Sequence, residues 1–308
     1  MIGCVTSGST GESEVFAPGL LRGQVALVTG GGTGLGKATA LELVRCGASA
    51  VIAGRRGEVL EGAAAEIRAT VGDGLGWADG AGGAGSTGRV DWIAGDVRER
   101  GDAERLIATV VERRGRLDVL VNNAGGQYFT PAEGIAAKGW RAVWRLNVEG
   151  MLNMAETAFE RALGPAGAGT IVNVTLSPHH GMPGMAHSGA ARATVEALTR
   201  ELALRWSDAG VTVAAVAPGP FDTEVMEKYP QTVRAGMARI VPLQRMGSVA
   251  EHAWLVALLA SPLGHAFNGS TVTLDGARDN WAGPWPPPGL TDDSGAVPTE
   301  ERKAPRPP

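Results

Sequence analysis

Tyrosine occurs only twice in these 308 residues, as Tyr128 and Tyr229, and neither has a basic residue four positions on, so no tyrosine–lysine acid pair at helical spacing exists. Cysteine is equally scarce. Cys4 falls in a polar stretch and Cys46 in a helical pattern, which excludes a disulfide framework and gives no metal-ligand spacing. Positive charge is not in excess either: 28 basic against 32 acidic residues give a net charge of −4, with no basic field for nucleic acid or an anionic membrane. The longest apolar stretches, such as 253–260, fall far short of the roughly 20 residues a membrane span requires, and no charged start followed by an apolar core opens the chain. These absences predict a soluble, unexported, cytoplasmic protein.

Glycine and proline are abundant, and their placement divides the chain. Eight glycines crowd into 72–88, a segment read as a flexible surface insertion. Eight of the 18 prolines fall in 284–308, where neither helix nor ladder can be sustained. The expectation is one folded domain over 20–281, flanked by a flexible tail 1–19 and a Pro-rich tail 282–308. Within it, β-branched runs at 24–29, 50–53, 90–94, 117–121, 170–174, 211–216 and 271–274 read as strands. Between them, 35–46, 58–69, 103–113, 139–162, 190–206 and 249–259 carry helical periodicity. Strands apolar on both faces that alternate with helices predict a doubly wound parallel α/β sheet, with its ligand beyond the carboxyl ends of the strands.

The first strand runs into T-G-G-G-T-G-L-G, residues 29–36, and then directly into a helix. Glycines there let the backbone approach a pyrophosphate, and a helix N-terminus favours the anion. A tight strand-to-helix turn is the alternative, but the strand before and helix after favour a dinucleotide site. The second strand ends at Ala53-Gly54-Arg55-Arg56, with no acidic residue to grip a free ribose 2′-hydroxyl. Two arginines suit a 2′-phosphate, so the cofactor expected is NADP(H); the alternative is an exposed pair at the start of the following helix.

With Asp96-Val97 after the third strand, Asn122-Asn123-Ala124-Gly125 after the fourth, Asn147 in a helix and Pro218-Gly219-Pro220-Phe221-Asp222-Thr223 after the sixth, residues 20–280 resemble the short-chain dehydrogenase/reductase family. The resemblance implies a single Rossmann-type domain with a seven-stranded parallel sheet. To the cofactor contacts already expected from Gly30, Thr33, Gly34, Leu35, Gly36, Arg55 and Arg56 it adds Asp96, Val97, Asn123, Ala124, Gly125, Arg192, Pro218, Gly219 and Thr223. It also implies a homodimer or homotetramer paired through the helices at 139–162 and 190–206. Asn147 reads independently as an amide on a buried helix stripe with Trp140, Trp144, Met151 and Met154, where it must find a partner; a structural and a functional partner are both open.

Family members that reduce ketones carry Tyr-x-x-x-Lys. Aligning H-S-G-A-A-R-A, 187–193, puts Ser188 at the tyrosine and Arg192 at the lysine, and the serine segment becomes Thr175-Leu176-Ser177. A serine is a poor acid for an alkoxide, but reducing a C=C bond conjugated to a thioester forms an enolate, which needs hydrogen-bond donors instead. The stretches 17–25, 125–133, 138–140 and 187–193 resemble the peroxisomal trans-2-enoyl-CoA reductase branch, close to the 2,4-dienoyl-CoA reductases, except that the tyrosine four residues beyond the arginine is Glu196 here. The reading is an NADPH-dependent reductase of an acyl-CoA C=C bond. Ser177, Asn147 and Tyr128 would polarise the carbonyl, while Arg192 and Ser188 hold the cofactor. Packing under the loop is an equal alternative for Tyr128. An alcohol or aldehyde dehydrogenase and a non-catalytic NADP-binding protein are the rivals. His179, His180 and His187 fall in the catalytic segment, but no matching carboxylate or thiolate spacing favours a metal, and none is expected. Arg22, Arg113, Arg114 and Arg116 read as a solvated surface in preference to a CoA phosphate site.

Overall fold

The computed structural model describes residues 11–17, 19–72, 90–177, 179, 184–224, 226 and 236–281. The tails 1–10 and 282–308, the Gly-rich segment beyond Gly72, His180 and Tyr229 lie outside the described residues. The elements in chain order are β1 (Val25–Thr29), α1 (Gly34–Arg45), β2 (Ser49–Gly54), α2 (Gly57–Val71), β3 (Val90–Ala94), α3 (Arg100–Arg114) and β4 (Val119–Asn122). After them come α4 (Ala137–Trp144), α5 (Gly150–Ala158), α6 (Gly164–Ala166), β5 (Gly169–Val174), α7 (Ala186–Trp206) and β6 (Val211–Pro218). The described chain finishes with β7 (Phe221–Asp222), β8 (Gly247–Ser248), α8 (Val249–Ala260) and β9 (Thr271–Leu274).

Seven of these strands form one parallel sheet in the order β3-β2-β1-β4-β5-β6-β9, as the alternating pattern predicted. The order reverses between β1 and β4, which opens a crevice at their carboxyl ends. Alternate residues of each strand feed opposite cores. Val25 and Leu27 of β1, with Val51 and Ala53 of β2, pack under α3, α5 and α7. Ala26, Val28, Ala50 and Ile52 pack under α1, α2 and α8. Burial of a side chain such as Leu27 or Ile52, both fully buried, contributes about 1.5–3 kcal/mol.

Three departures from the sequence pattern bear on the site. The single helix expected over 139–162 is wound as π-helix at Arg145–Glu149 and Phe159–Leu163, and Asn147 lies in the first of these wide turns. Helix α7 begins at Ala186, four residues earlier than its periodicity suggested, because His187 and Ser188 are both buried on its inner face. The two-residue pair β7–β8 leaves no sequence signal; it ties the segment after β6 to the start of α8, where Ser248 and Glu251 form a reciprocal capping box. Ser13, in the stretch expected as tail, donates to the Glu42 carboxylate at 2.5 Å, and Phe16 packs on the core.

Candidate active site

A cavity of about 490 Å³ opens at the carboxyl ends of β1, β2, β4, β5 and β6. All sixteen positions expected from the sequence to contact the cofactor lie on its wall. At its floor the β1–α1 turn is glycine for steric reasons. Gly30 has φ +66 and Gly34 φ +52, and a Cβ at Gly36 would stand 2.4 Å from both Asn123 Nδ2 and Gly30 O. Asn123 closes the turn by donating from Nδ2 to Thr29 O at 2.9 Å, while Thr29 Oγ1 accepts from the amides of Asn123 and Ala124, each at 3.0 Å.

The structure fits a bound dinucleotide. Helix α1 carries no side-chain cap and no acidic residue in its first turn, so its leading N–H groups and positive dipole end face the cavity uncompensated. At the end of β2, Arg55 and Arg56 are exposed and make no ion pair among the described residues. Asp96 sits opposite. Its carboxylate accepts from Arg98 at 2.9–3.0 Å, and these bonds hold it below the usual carboxylate range despite partial burial.

At the other end, Arg192 projects from α7 into the wall beside Gly125, whose Cβ, if present, would lie 2.6 Å from Arg192 Nη2. Nη1 donates to Val174 O at 2.7 Å, whereas Nε has no partner among the described atoms. Burial pushes the guanidinium down to about 10, which leaves it charged at neutral pH. Ser177 lines the same wall and is fully buried, but its hydroxyl proton is given to the Asp275 carboxylate. While Asp275 is ionised, Ser177 faces a ligand as an acceptor.

Asn147 and Tyr128, which the sequence reading put at the substrate carbonyl, and Ser188, which it put on the cofactor, do not line this cavity. Asn147 is consumed by backbone: Nδ2 donates to Gly126 O at 2.8 Å and Val143 O at 2.7 Å, and Oδ1 accepts from Gly126 N at 3.1 Å. It shapes the wall through Gly126 without facing the cavity. The Ser188 hydroxyl is buried without a partner among the described atoms. The Tyr128 ring turns out against His187, with centroids 4.4 Å apart, and its hydroxyl occupies the space that a side chain at Gly139 would need. Of the arginines weighed for CoA, Arg113 pairs with Asp91 at 2.8 Å and Arg116 with Asp118 at 2.6 Å; Asp118 immediately precedes β4, at the opposite end of the sheet.

Several contributors escaped the sequence reading. Asp275, just past β9, and Asp279 reach Ser177 and His179 across nearly a hundred residues of chain. Their only local signal is an acidic residue at a strand's carboxyl end. Phe129, Met185, Met226 and Met237 give the cavity an apolar, adaptable side that no periodicity marked. Among the described residues no group of three or more histidine, cysteine or carboxylate side chains is arranged to hold a metal ion, and no helix is long and apolar enough to cross a membrane.

A parallel sheet that presents an uncapped helix, a glycine turn and a paired-asparagine turn to one crevice defines a Rossmann-type nucleotide-binding fold. A family model described as short chain dehydrogenase matches residues 24–234, and the chain belongs to that family of enzymes. Similar proteins include the peroxisomal 2,4-dienoyl-CoA reductase of Arabidopsis thaliana, 32% identical over 85% of this chain and 86% of that one. A probable 2,4-dienoyl-CoA reductase of Bacillus subtilis is 34% identical over 85% of this chain and 98% of its own length. Among solved structures, a citronellol catabolism dehydrogenase (AtuB) of Pseudomonas aeruginosa PAO1 superposes with a TM-score of 0.73 at 38% identity, covering 86% of this chain and 98% of that one.

Proposed function

We propose that this chain is an NADPH-dependent reductase of the C=C bond of an α,β-unsaturated acyl-CoA, acting in the cytoplasm as a homodimer or homotetramer. One observation carries the reading: the family's tyrosine–lysine pair is replaced by Ser188 and Arg192, and no tyrosine stands on the described cavity wall. Ketone reduction ends on an alkoxide that needs a proton from a nearby acid. Enoyl-thioester reduction ends on an enolate, in which the charge spreads onto the thioester oxygen. There a fixed cation and aimed donors suffice, and the α carbon takes its proton from water. NADPH, when bound, supplies the hydride to the β carbon.

Arg192 is the group with capacity to spare. Its charge is permanent at neutral pH, Nη1 is anchored on Val174 O, and Nη2 stands beside Gly125 on the wall. Asn147 acts one layer behind by fixing Gly126, and Ser177 with Asp275 shapes the facing wall. Arg55 and Arg56, which make no close ion pair among the described residues although Arg55 is near enough to Asp96 to attract it, favour a 2′-phosphate. The names of the relatives, two of them 2,4-dienoyl-CoA reductases, support a conjugated acyl-CoA substrate.

The test mixes enzyme, NADPH and crotonyl-, 2-decenoyl- or 2,4-decadienoyl-CoA and follows nicotinamide absorbance, with the saturated or monoenoyl product identified by mass. Absence of oxidation across chain lengths refutes the reading. A second reading, oxidation of an aliphatic or terpenoid alcohol, is favoured by the citronellol catabolism dehydrogenase named among the solved structures. Alcohol-dependent reduction of NADP⁺, with no turnover of enoyl-CoA, would select it.

A further inference from the structure

His179 is held on three sides. Its Nδ1 lies 2.6 Å from Asp279 Oδ2, its Nε2 lies 2.9 Å from Glu196 Oε1, and its backbone N–H donates to Asp279 Oδ1 at 2.5 Å. Both carboxylates connect onward to the cavity. Glu196 Oε1 also accepts from Thr175 Oγ1 at 3.1 Å. The Asp279 N–H donates to Asp275 Oδ2 at 2.7 Å, the same oxygen that receives the Ser177 hydroxyl. Thr175 and Ser177 are wall residues. One ring thus joins helix α7, the segment after β5 and the turn after β9.

A neutral imidazole has one N–H and can donate to only one of two carboxylates; the protonated ring donates to both. Burial of the ring lowers its affinity for a proton, but the bond to Asp279 and the charges of Glu196 and Asp279 outweigh that, and the ring's pKa is raised from its usual value. Among the described residues the charged groups facing the ring are Glu196 from α7 and Asp279 from the turn after β9; Thr175 is neutral, and Arg192 faces Val174 and Gly125. When the ring loses its proton, its one remaining N–H can serve only one of the two carboxylates, and the oxygen of the other meets a ring lone pair.

We propose that His179 is a positioning residue that clasps Glu196 to Asp279 and thereby holds Asp275 on Ser177 at the wall of the active-site cavity. The turnover half of its test rests on the C=C reductase reading above, whereas the cofactor-binding half rests on family membership and on the NADP(H) assignment alone. Both kcat/KM and the affinity for NADP⁺ then fall as pH rises through the His179 pKa, which is raised from the usual histidine value.

The experiment measures the His179 ring by proton NMR, assigned with His179→Gln, and follows NADP⁺ affinity and turnover across pH 6 to 9. The expected NMR midpoint lies above about 6.5. Glu196→Gln removes one of the two facing charges and moves both that midpoint and the alkaline limb of the profile to lower pH. His179→Gln loses the alkaline limb and lowers kcat/KM roughly 10- to 100-fold at neutral pH, as expected when wall groups are misplaced. His179→Arg keeps a cation throughout and retains activity at pH 9. A ring midpoint at or below the usual histidine value, or a His179→Gln profile with the wild-type alkaline limb, overturns the proposal. Failure of every enoyl-CoA with an intact pH-dependence of NADP⁺ affinity sinks the reductase reading and leaves this proposal standing.

Discussion

Replacing Asn147 by alanine removes three bonds at once: two that satisfy the N–H and C=O of Gly126, and one to Val143 O. Asn147 is 2% exposed, so water does not replace the amide freely. At about 1 kcal/mol net for each bond, and more for any group left orphaned, the loss is about 3 kcal/mol. For a domain of this size that corresponds to a fall in Tm of roughly 6–12 °C. Urea unfolding followed by tryptophan fluorescence reads the same quantity as a lower midpoint at constant slope. Asn147→Asp keeps the acceptor for Gly126 N but sets a buried carboxylate oxygen against Gly126 O and Val143 O, and is expected to be at least as destabilised as alanine. Because Gly125 and Gly126 form part of the cavity wall, cofactor affinity drops alongside, by about tenfold. If Asn147→Ala unfolds within about 0.5 kcal/mol of wild type, the amide is not what holds this turn, and the reasoning fails.

Three further outcomes are expected. Arg55→Ala/Arg56→Ala weakens NADPH about 10- to 100-fold while leaving NADH within about threefold, because only the 2′-phosphate loses charge-assisted bonds; equal losses for both cofactors would count against the assignment. A Cβ at Gly219 would stand 2.4 Å from that of Asp275, so Gly219→Ala forces β6 and β9 apart at their ends, costs about 1–3 kcal/mol and lowers turnover; unaltered turnover and stability would show that this contact yields freely. His252 is fully buried against Phe221, with both ring nitrogens unpartnered among the described atoms, and burial pushes its pKa down to about 4. The unfolded chain therefore takes up a proton that the folded one refuses. Stability is full above the unfolded value near 6.5 and declines as pH falls from there to about 4, by roughly 2–3 kcal/mol. His252→Phe should flatten that acid limb in pH-dependent melting, and an unchanged limb would exclude His252 as its source.

What the chain determined by itself was whatever depends on neighbours in sequence. Two-faced apolar strands, helical periods between them and a glycine turn opening α1 are local patterns, and they specified the parallel sheet and put glycines such as Gly36 on what the structure shows to be a cavity wall, whereas Asn123 was legible only through the family resemblance. The buried stripe around Asn147 likewise announced an amide that needed partners. Which partners it found was decided elsewhere. The wide turn at Arg145–Glu149 brings the amide onto Gly126, a contact set by how α4 and α5 cross the end of β4. Tyr128 points away because Gly139, eleven residues on, leaves room for its hydroxyl. The cluster of His179, Glu196, Asp275 and Asp279 exists only because β5, β6 and β9 lie side by side in parallel, which aligns their carboxyl ends and superimposes segments that the chain separates by nearly a hundred residues. Periodicity reports the face on which a side chain lies. The group it meets there depends on strand order and register, which are settled only when the whole sheet closes its two cores.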